Sequence, residues 1–309
     1  ILGYSFLLNM IYSGKKESMN KILILILTFF ISTAVNADVT SQALNKVSEK
    51  ISSTIGNLIP GDGLTEASIQ INEDDNPDIE ILAVRDLVAN EYSNMFTQFS
   101  LHTQEINGHD RFIGNLGFGY RKLSDDKSNV YGINFFLDND FEADHQRGSV
   151  GLELKGAYLD LSANSYHAIT NTKIYKNTDE EVLSGHTIDL ASQIPYAPWA
   201  NLNLQSYAWE NVKASTDTKG YTLGLEAYLT PSLALELKND YNDNAAVDDE
   251  FTYKLTFVYP PRNDGKSMKD GLSNLAFEKQ NMEAKLKDKV QRDNNIVVEI
   301  QGSVIITQK

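Results

Sequence analysis

Apolar and polar residues alternate one by one along much of the chain. In the stretch FTYKLTFVY, every second residue from Phe251 to Tyr259 is apolar, and Thr252, Lys254 and Thr256 fall between them. A period of two predicts a β-strand with one apolar and one polar face. The alternation predicts twelve strands: 65–72, 79–88, 93–102, 112–122, 129–138, 147–155, 158–168, 186–194, 201–210, 220–229, 232–241 and 251–259.

The connections between these strands alternate in length. Short turns at 156–157, 195–200 and 230–231 are interleaved with longer polar gaps, at 103–111, 139–146, 169–185, 211–219 and 242–250. This alternation is typical of an up-and-down outer-membrane barrel, whereas a Greek-key sandwich has no reason to keep it. A half-buried sheet of a soluble protein shows the same period within a strand, so the connections decide. The sequence therefore predicts an all-β fold, a twelve-stranded antiparallel transmembrane β-barrel.

The polar positions of the strands are expected to line a wet lumen, and the apolar positions to face lipid. A lysine at the middle of the lipid face would cost about 2–4 kcal/mol, so charged residues favour the inner face. The predicted lumen-facing charged residues are Glu153, Lys155, Asp160, Glu226, Glu236, Lys238 and Lys254.

Beyond the last strand the alternation ends. A breaker run that begins at Pro260 precedes a charged stretch, residues 267–290, whose narrow apolar stripe predicts a helix. An even number of strands returns the chain to its starting side, so we expect this helix and its linker to lie in or at the pore. The expected pore residues of the helix are Leu272, Leu275, Met282, Leu286 and Val290.

The start of the chain predicts export. Met19 and Lys21 precede the apolar run 22–31, and small residues lead to a predicted cleavage site after Ala37. The run is half the roughly 20 residues that a transmembrane helix needs, which favours a signal peptide.

Composition and side-chain chemistry exclude several classes of protein. The net charge of −15 does not suit a nucleic-acid-binding protein, and the absence of cysteine excludes disulfide scaffolds and thiolate sites. Asp138, Asp140 and Asp144 share one loop, for which Ca²⁺ binding is the less favoured alternative to a simply solvated acidic loop. A hydrolase site at His186 and Asp189 is the least favoured alternative, because no nucleophile accompanies them. We therefore predict no enzyme activity and no cofactor or metal.

Several blocks of residues occur in order along the chain. They are Gly119-Tyr120-Arg121, the run NFFLDND at 134–140, the spaced set His145, Arg147, Gly151 and Glu153, the run LSANSY at 161–166, and residues 290–297. From about Leu64 to Glu299 the chain thereby resembles the translocator barrel of the inverse autotransporters, the intimin/invasin family. The resemblance implies a twelve-stranded outer-membrane barrel with a helix and linker in the pore, and a C-terminal passenger exported as an adhesin or invasin. The implied pore linker includes Arg292 and Asn294.

The resemblance also implies partners and a domain order. The implied partners are outer-membrane lipid, the barrel-assembly machinery and periplasmic chaperones, with a host or cell-surface receptor reached only through a passenger. The expected divisions are 1–37 (upstream extension and signal peptide, mature start near Asp38), 38–63 (short periplasmic helical segment), 64–260 (barrel), 261–295 (helix and linker) and 296–309 (incomplete start of a passenger). The passenger is expected to be missing or truncated here, and a stand-alone outer-membrane pore or structural barrel is the alternative.

Overall fold

The computed structural model describes residues 37–72, 77–243, 249–300 and 303–305, so the predicted signal peptide lies outside the described residues. One helix, α1 (Ala37–Gly56), comes first. The strands are β1 (Gly63–Asn72), β2 (Asp78–Ala89), β3 (Ser93–Ile106), β4 (His109–Leu123), β5 (Val130–Asp140), β6 (Gln146–Lys155), β7 (Leu159–Ala168), β8 (Lys173–Tyr175), β9 (Thr178–Val182), β10 (Ser184–Ile194), β11 (Ala197–Glu210), β12 (Thr218–Thr230), β13 (Leu233–Asn242), β14 (Glu250–Tyr259), β15 (Val298–Ile300) and β16 (Ser303–Ile305).

Twelve of these strands, β1–β7 and β10–β14, form one closed antiparallel barrel. Each strand pairs with its neighbour along the wall, and β1 closes the ring on β14 in a register from Thr65 opposite Tyr259 to Asn72 opposite Thr252. Closure leaves the wall without a free edge, which is the condition for a sheet in lipid. The predicted twelve-stranded barrel is confirmed.

The alternation along each strand separates an outer apolar face from an inner polar face. On β5, Tyr131 and Phe135 are 55% and 56% exposed, whereas Asn134 and Asp138 are buried inside. The outer face is therefore suited to lipid, and the charged side chains gather around the axis of the barrel.

Two predicted loops are more ordered than the sequence analysis expected. The gap 103–111 is mostly strand, because β3 and β4 continue to a two-residue turn at Asn107 and Gly108, whose φ angles are 53° and 71°. Two positive φ angles are what a type I′ hairpin turn needs, and Asn-Gly is its preferred sequence. The gap 169–185 contains the hairpin β8–β9, which joins β15 and β16 in a second sheet of order β16-β15-β9-β8.

The predicted helix over residues 267–290 is wrong. The segment contains only two single turns of 3-10 helix, Met268–Asp270 and Ala284–Lys287. Its backbone bonds to the barrel instead, since the Ser273 N–H donates to the Tyr196 carbonyl (2.7 Å) and the Tyr196 N–H donates to the Ala276 carbonyl (2.8 Å). Asn281 also accepts from the Glu283 N–H (3.0 Å), a local bond of the kind that competes with helix formation.

Helix α1 packs on β1 and β14, the pair that closes the barrel. Its buried serines bond to the connection between β12 and β13: Ser48 Oγ lies 2.9 Å from Thr230 Oγ1, and Ser52 Oγ donates to the Ser232 carbonyl (3.2 Å). Among the described residues, no helix has both the length and the apolar composition that a membrane span requires.

Candidate functional site

The candidate site is the barrel lumen together with residues 282–297, which we call the inner segment. We call the barrel end with the β6–β7 and β10–β11 turns the turn end, and the opposite end the loop end. At the turn end, Lys285 Nζ donates to the Gly156 carbonyl (2.7 Å) and to Asp160 Oδ1 (2.6 Å). At the loop end, the side-chain amide of Gln104 bonds both the N–H and the carbonyl of Ile296 (3.0 Å each). The inner segment therefore runs the full length of the lumen.

Wall side chains satisfy the backbone of the inner segment. Gln98 Oε1 accepts from the Val290 N–H (2.7 Å), and Asn164 Nδ2 donates to the Gln291 carbonyl (3.0 Å). One step further on, the Tyr166 hydroxyl accepts from the Asp293 N–H (2.8 Å). Buried backbone groups must be paired, and these side chains replace the ladder that a neighbouring strand would supply.

A buried ion cluster holds the middle of the inner segment. Both oxygens of Asp138 accept from Arg292, at 3.0 and 2.7 Å, and the same carboxylate accepts from Arg147 (2.9 Å). The guanidinium of Arg292 lies 4.2 Å from the ring centre of Phe136, and that of Arg147 lies 4.3 Å from Tyr166. Burying these charges is compensated by a forked carboxylate contact and by stacking on aromatic faces.

A second buried arginine fixes the segment nearer the turn end. Arg121 donates to both oxygens of Glu153 (2.9 Å each) and to the carbonyl of Leu286 (3.2 Å). Leu286 and Met282 pack in an apolar cluster with Leu123 of β4 and Val130 of β5. The segment is thus held by charge and by apolar contact at the same height in the lumen.

The seven predicted lumen-facing residues all lie on the inner face. Glu153 and Asp160 meet Arg121 and Lys285, as described above. The other contacts are Lys155 with Asp288 (3.5 Å), Glu226 with Asn201 (2.9 Å), Glu236 with Lys238 (3.3 Å) and Lys254 with Glu80 (3.2 Å).

The expected pore residues divide into two groups. Met282, Leu286, Val290 and Arg292 are buried in the lumen, and Asn294 donates to Glu80 Oε1 (3.1 Å). Leu272 and Leu275 are 74% and 62% exposed, so the structure does not bring them to the inner segment. A stripe that included them would need the continuous helix that is absent here.

The lumen keeps an unfilled space beside the inner segment. A cavity of about 80 Å³ extends from β6 and β7 to β13, and its lining includes Lys155, Ser162, Asp189, Thr222 and Glu236. A polar cavity of this size has room for water molecules. The described residues contain no group of His, Asp or Glu arranged to hold a metal ion.

Residue chemistry alone missed several residues that shape the site. Tyr166 and Trp209 are buried and pack together with a ring separation of 5.3 Å, and Arg111 is fully buried at the loop end. Each occupies an inward position of its strand, so the period of two marks its direction but not its partner. An arginine at an inward position was the available signal, because an isolated charge there needs a counter-ion.

The hairpin β8–β9 is tied to the barrel at the loop end. Both oxygens of Glu180 accept from Arg111 (2.5 and 2.7 Å), and His145 Nε2 lies 3.0 Å from Glu180. Burial acts to raise the pKa of Glu180, but the hydrogen bonds from Arg111 and His145 prevail and hold this pKa below its usual range. The arrangement of the site as a whole positions one extended polypeptide within a closed ring.

Comparison with known proteins gives matches that extend over most of the chain. The family model for the inverse autotransporter β-domain matches residues 28–294. Intimin from Escherichia coli O157:H7 is 28% identical over 64% of this chain, and the inverse autotransporter adhesin YeeJ from Escherichia coli K12 is 24% identical over 68% of it. The matched regions cover 22% and 9% of those two relatives, so the chain corresponds to a fraction of their length.

A solved chain from a study of the in-meso crystallization of membrane proteins has a similar fold. It aligns with a TM-score of 0.61 and 22% identity, over 77% of this chain and all of the other. At that identity the likeness is one of fold alone.

Proposed function

Because the chain belongs to the inverse autotransporter β-domain family, we propose that it anchors a C-terminal passenger in the outer membrane and translocates it to the bacterial surface. The barrel is an outer-membrane β-barrel in contact with membrane lipid, and its family is one of translocators and not of enzymes. The observation that carries the proposal is the inner segment, which crosses the lumen of a closed ring and leaves it at the loop end.

The direction of the inner segment supports export. In outer-membrane barrels the short turns face the periplasm and the long loops face outward. The chain leaves β14 at the turn end, crosses the lumen, and reaches the loop end at Ile296, after which β15 pairs with β9. Residues that follow β15 would therefore begin outside the cell.

The proposal includes partners that act before and after export. A periplasmic intermediate that exposes twelve apolar strand faces needs chaperones and the barrel-assembly machinery to reach the membrane. An adhesin or invasin passenger would supply the contact with a host or cell-surface receptor. A cleaved signal peptide with a mature start near Asp38 completes the route, and the mass of the mature protein tests it.

A fusion experiment tests translocation. A small folded domain is joined after Lys309, and intact cells are treated with a protease that cannot cross the outer membrane. We expect the domain to be cleaved in cells in which an antibody also detects a tag inserted in the connection between β13 and β14. A domain that stays protected while the barrel is displayed would contradict translocation by this chain.

A stand-alone pore is the alternative function, and the cavity beside the inner segment favours testing it. The inner segment crosses the whole lumen and is bonded to its wall, so the full chain is expected to conduct weakly in planar bilayers. Removal of residues 282–297 should raise the conductance several-fold. Large steady conductance of the full chain would favour the pore over the translocator.

A further inference from the structure

We propose that the loop end of the barrel is a strand-acceptor site, which binds the first exported residues and recognises a glutamate between two β-branched residues, Val298-Glu299-Ile300. This inference rests on the proposed translocation, because it assigns a binding site for the chain that emerges. The site consists of β9, the apolar ends of β3 and β4, and the loop 211–217.

The backbone of the emerging residues completes an existing sheet. β15 pairs antiparallel with β9, with Val298 opposite Val182 and Ile300 opposite Glu180, and the Leu183 N–H donates to the Val297 carbonyl (3.0 Å). The addition of a strand to an exposed edge supplies affinity through main-chain bonds and leaves the side chains to supply selectivity. The hairpin β8–β9 is therefore the receptor, and β15 is the strand that it receives.

One face of β15 is bound through apolar contacts. Val298 and Ile300 are 0% and 7% exposed, and they share an apolar cluster with Ile106, Ile113 and Val182. Ile106 and Ile113 flank the Asn-Gly turn that extends β3 and β4 beyond the predicted strand ends. β-Branched side chains suit such a half-buried pleated surface, which explains their selection on this face.

The other face of β15 is bound by a group of converging backbone amides. The carboxylate of Glu299, which is fully buried, accepts from the N–H groups of Val212 (2.6 Å), Lys213 (2.9 and 3.1 Å) and Ala214 (2.6 Å). Successive amides that point to one spot form an anion site, and hydrogen bonds to a charged acceptor are about twice as strong as neutral ones. Glutamine in place of Glu299 would offer N–H groups to the same donors.

The neighbouring charges indicate that the backbone amides of 212–214, and not nearby positive side chains, account for the binding of the Glu299 carboxylate. Glu299 lies directly opposite Glu181 on β9, and like charges in cross-strand pairs are destabilising. Lys213 Nζ lies 3.7 Å from Glu181 and only partly offsets the repulsion. A general attraction of opposite charges would not place a glutamate here, so the amides of 212–214 select it.

The receptor is held in place independently of the strand that it binds. Glu180, on the face of β9 that looks into the barrel mouth, is bonded to Arg111 and His145 of the wall. A preorganised site binds more tightly, because less ordering is needed when the ligand arrives. The hairpin can therefore adopt its bound conformation before β15 reaches it.

Hydrogen exchange on the full chain tests the site with a matched pair of variants. Glu299→Gln removes the charge that the amides bind, whereas Glu181→Gln removes a carboxylate on the same face of the neighbouring strand. We expect exchange of the amides of 212–214 and 298–300 to rise at least about tenfold in Glu299→Gln, and to stay equal or fall in Glu181→Gln. Equal exchange in the parent and Glu299→Gln would overturn the inference.

A second pair of variants keeps the inference testable if Glu299→Gln fails to fold. Ala214→Pro removes one donating N–H without a change in Glu299, and Ser215→Pro places the same ring one residue later. Heat-dependent gel mobility establishes that each barrel is closed. Faster exchange of 298–300 in Ala214→Pro alone supports the site, and equal exchange in both proline variants contradicts it.

The fusion experiment separates this inference from the proposed function. If the domain fused after Lys309 is not displayed by the parent chain, translocation fails, whatever the exchange rates are. If it is displayed and the Glu299→Gln amides exchange as slowly as those of the parent, translocation stands and the strand-acceptor site fails.

Discussion

The two sides of the lumen differ in how closely they contact the inner segment. On the side of β3–β7, Gln98, Arg121, Asp138 and Asn164 bond directly to it. On the side of β10–β13, a cavity of about 80 Å³, which also reaches Lys155 and Ser162 of β6 and β7, separates it from much of the wall. The inner segment is therefore attached along one wall and is not packed evenly as a plug. A barrel can hold an extended chain firmly and still leave hydrated space beside it.

The largest difference between the two sides is expected for two buried aspartates. Asp138→Asn removes the charge that pairs Arg292 and Arg147, and depriving buried guanidinium groups of their carboxylate counter-ion costs about 3–5 kcal/mol. Asp189→Asn, beside the cavity, loses an acceptor of neutral donors such as Gln205 and should cost about 1 kcal/mol or less. Urea unfolding of the two variants in detergent micelles measures both free energies. Equal losses would mean that the two walls contribute alike.

A leucine pair compares the inner segment with the exposed residues that precede it. Leu286→Ala empties a site that is 3% exposed and should cost at least about 2 kcal/mol, with a wider opening of the turn end. Leu272→Ala alters a side chain that is 74% exposed and should stay within about 0.5 kcal/mol of the parent. The same unfolding measurement applies. A large loss in Leu272→Ala would instead indicate that residue 272 packs against something in the folded protein.

Two glycines on the inner wall give a smaller contrast. A methyl group on Gly151 would lie 2.5 Å from Asn134 Oδ1 and would also collide with Asn164, so Gly151→Ala should cost about 1–3 kcal/mol. A methyl group on Gly224 would lie 3.3 Å from Glu236 Oε1 and 3.4 Å from Asn203 Cβ, beside the cavity, so Gly224→Ala should be nearly neutral. Melting temperatures of the two variants check the order. A reversed order would show that the cavity side is the tighter one.

Acid should loosen the hairpin β8–β9 at the loop end. The pKa of Glu180 is lower in the folded protein than in the unfolded chain. Its contribution is therefore fully present above the unfolded value of about 4.3 and is lost as the pH falls through the folded value. A spin label at Ile174→Cys, the single cysteine of that variant, should gain mobility when the pH is lowered from 7 to a value below the folded pKa of Glu180.

Glu180→Gln provides the control for the pH experiment. Its hairpin lacks the charged contact at both pH values, so the label should be mobile throughout and the pH response should largely disappear. A response of equal size in Glu180→Gln would assign the change to another group.

The wall of the barrel could be predicted because its signal is local and repeated. The period of two and the alternation of short and long connections placed all twelve wall strands, and Tyr131, Phe135 and Leu152 lie on the exposed face as expected. The strand ends were harder to predict, because the polar residues of 103–111 resemble a loop. The Asn107-Gly108 pair, a preferred sequence of the type I′ turn, is the one local signal that the strands continue to a hairpin, and the positive φ angles of both residues show that turn.

The position of the inner segment in the lumen could be predicted from the sequence, but its backbone conformation could not. Apolar spacing at Leu286 and Val290 fits a helix, and both side chains are buried, but the backbone between them is bonded to the wall. The partners lie far away in the sequence, since Arg292 and Asp138 are 154 positions apart. A helix prediction counts only neighbours within a few turns, so it omits the amides and guanidinium groups that compete for the same backbone.

The point at which the tail leaves the wall determines how the molecule can be assembled. The inner segment follows β14, and β14 is also the strand that completes the ring with β1. A tail that already lies along β3–β7 can be encircled when the last two strands meet, so no free end has to find the mouth of a finished pore. The ring therefore closes around the chain's own C-terminal part without forming a knot, and opening the β1–β14 pairing would release that part.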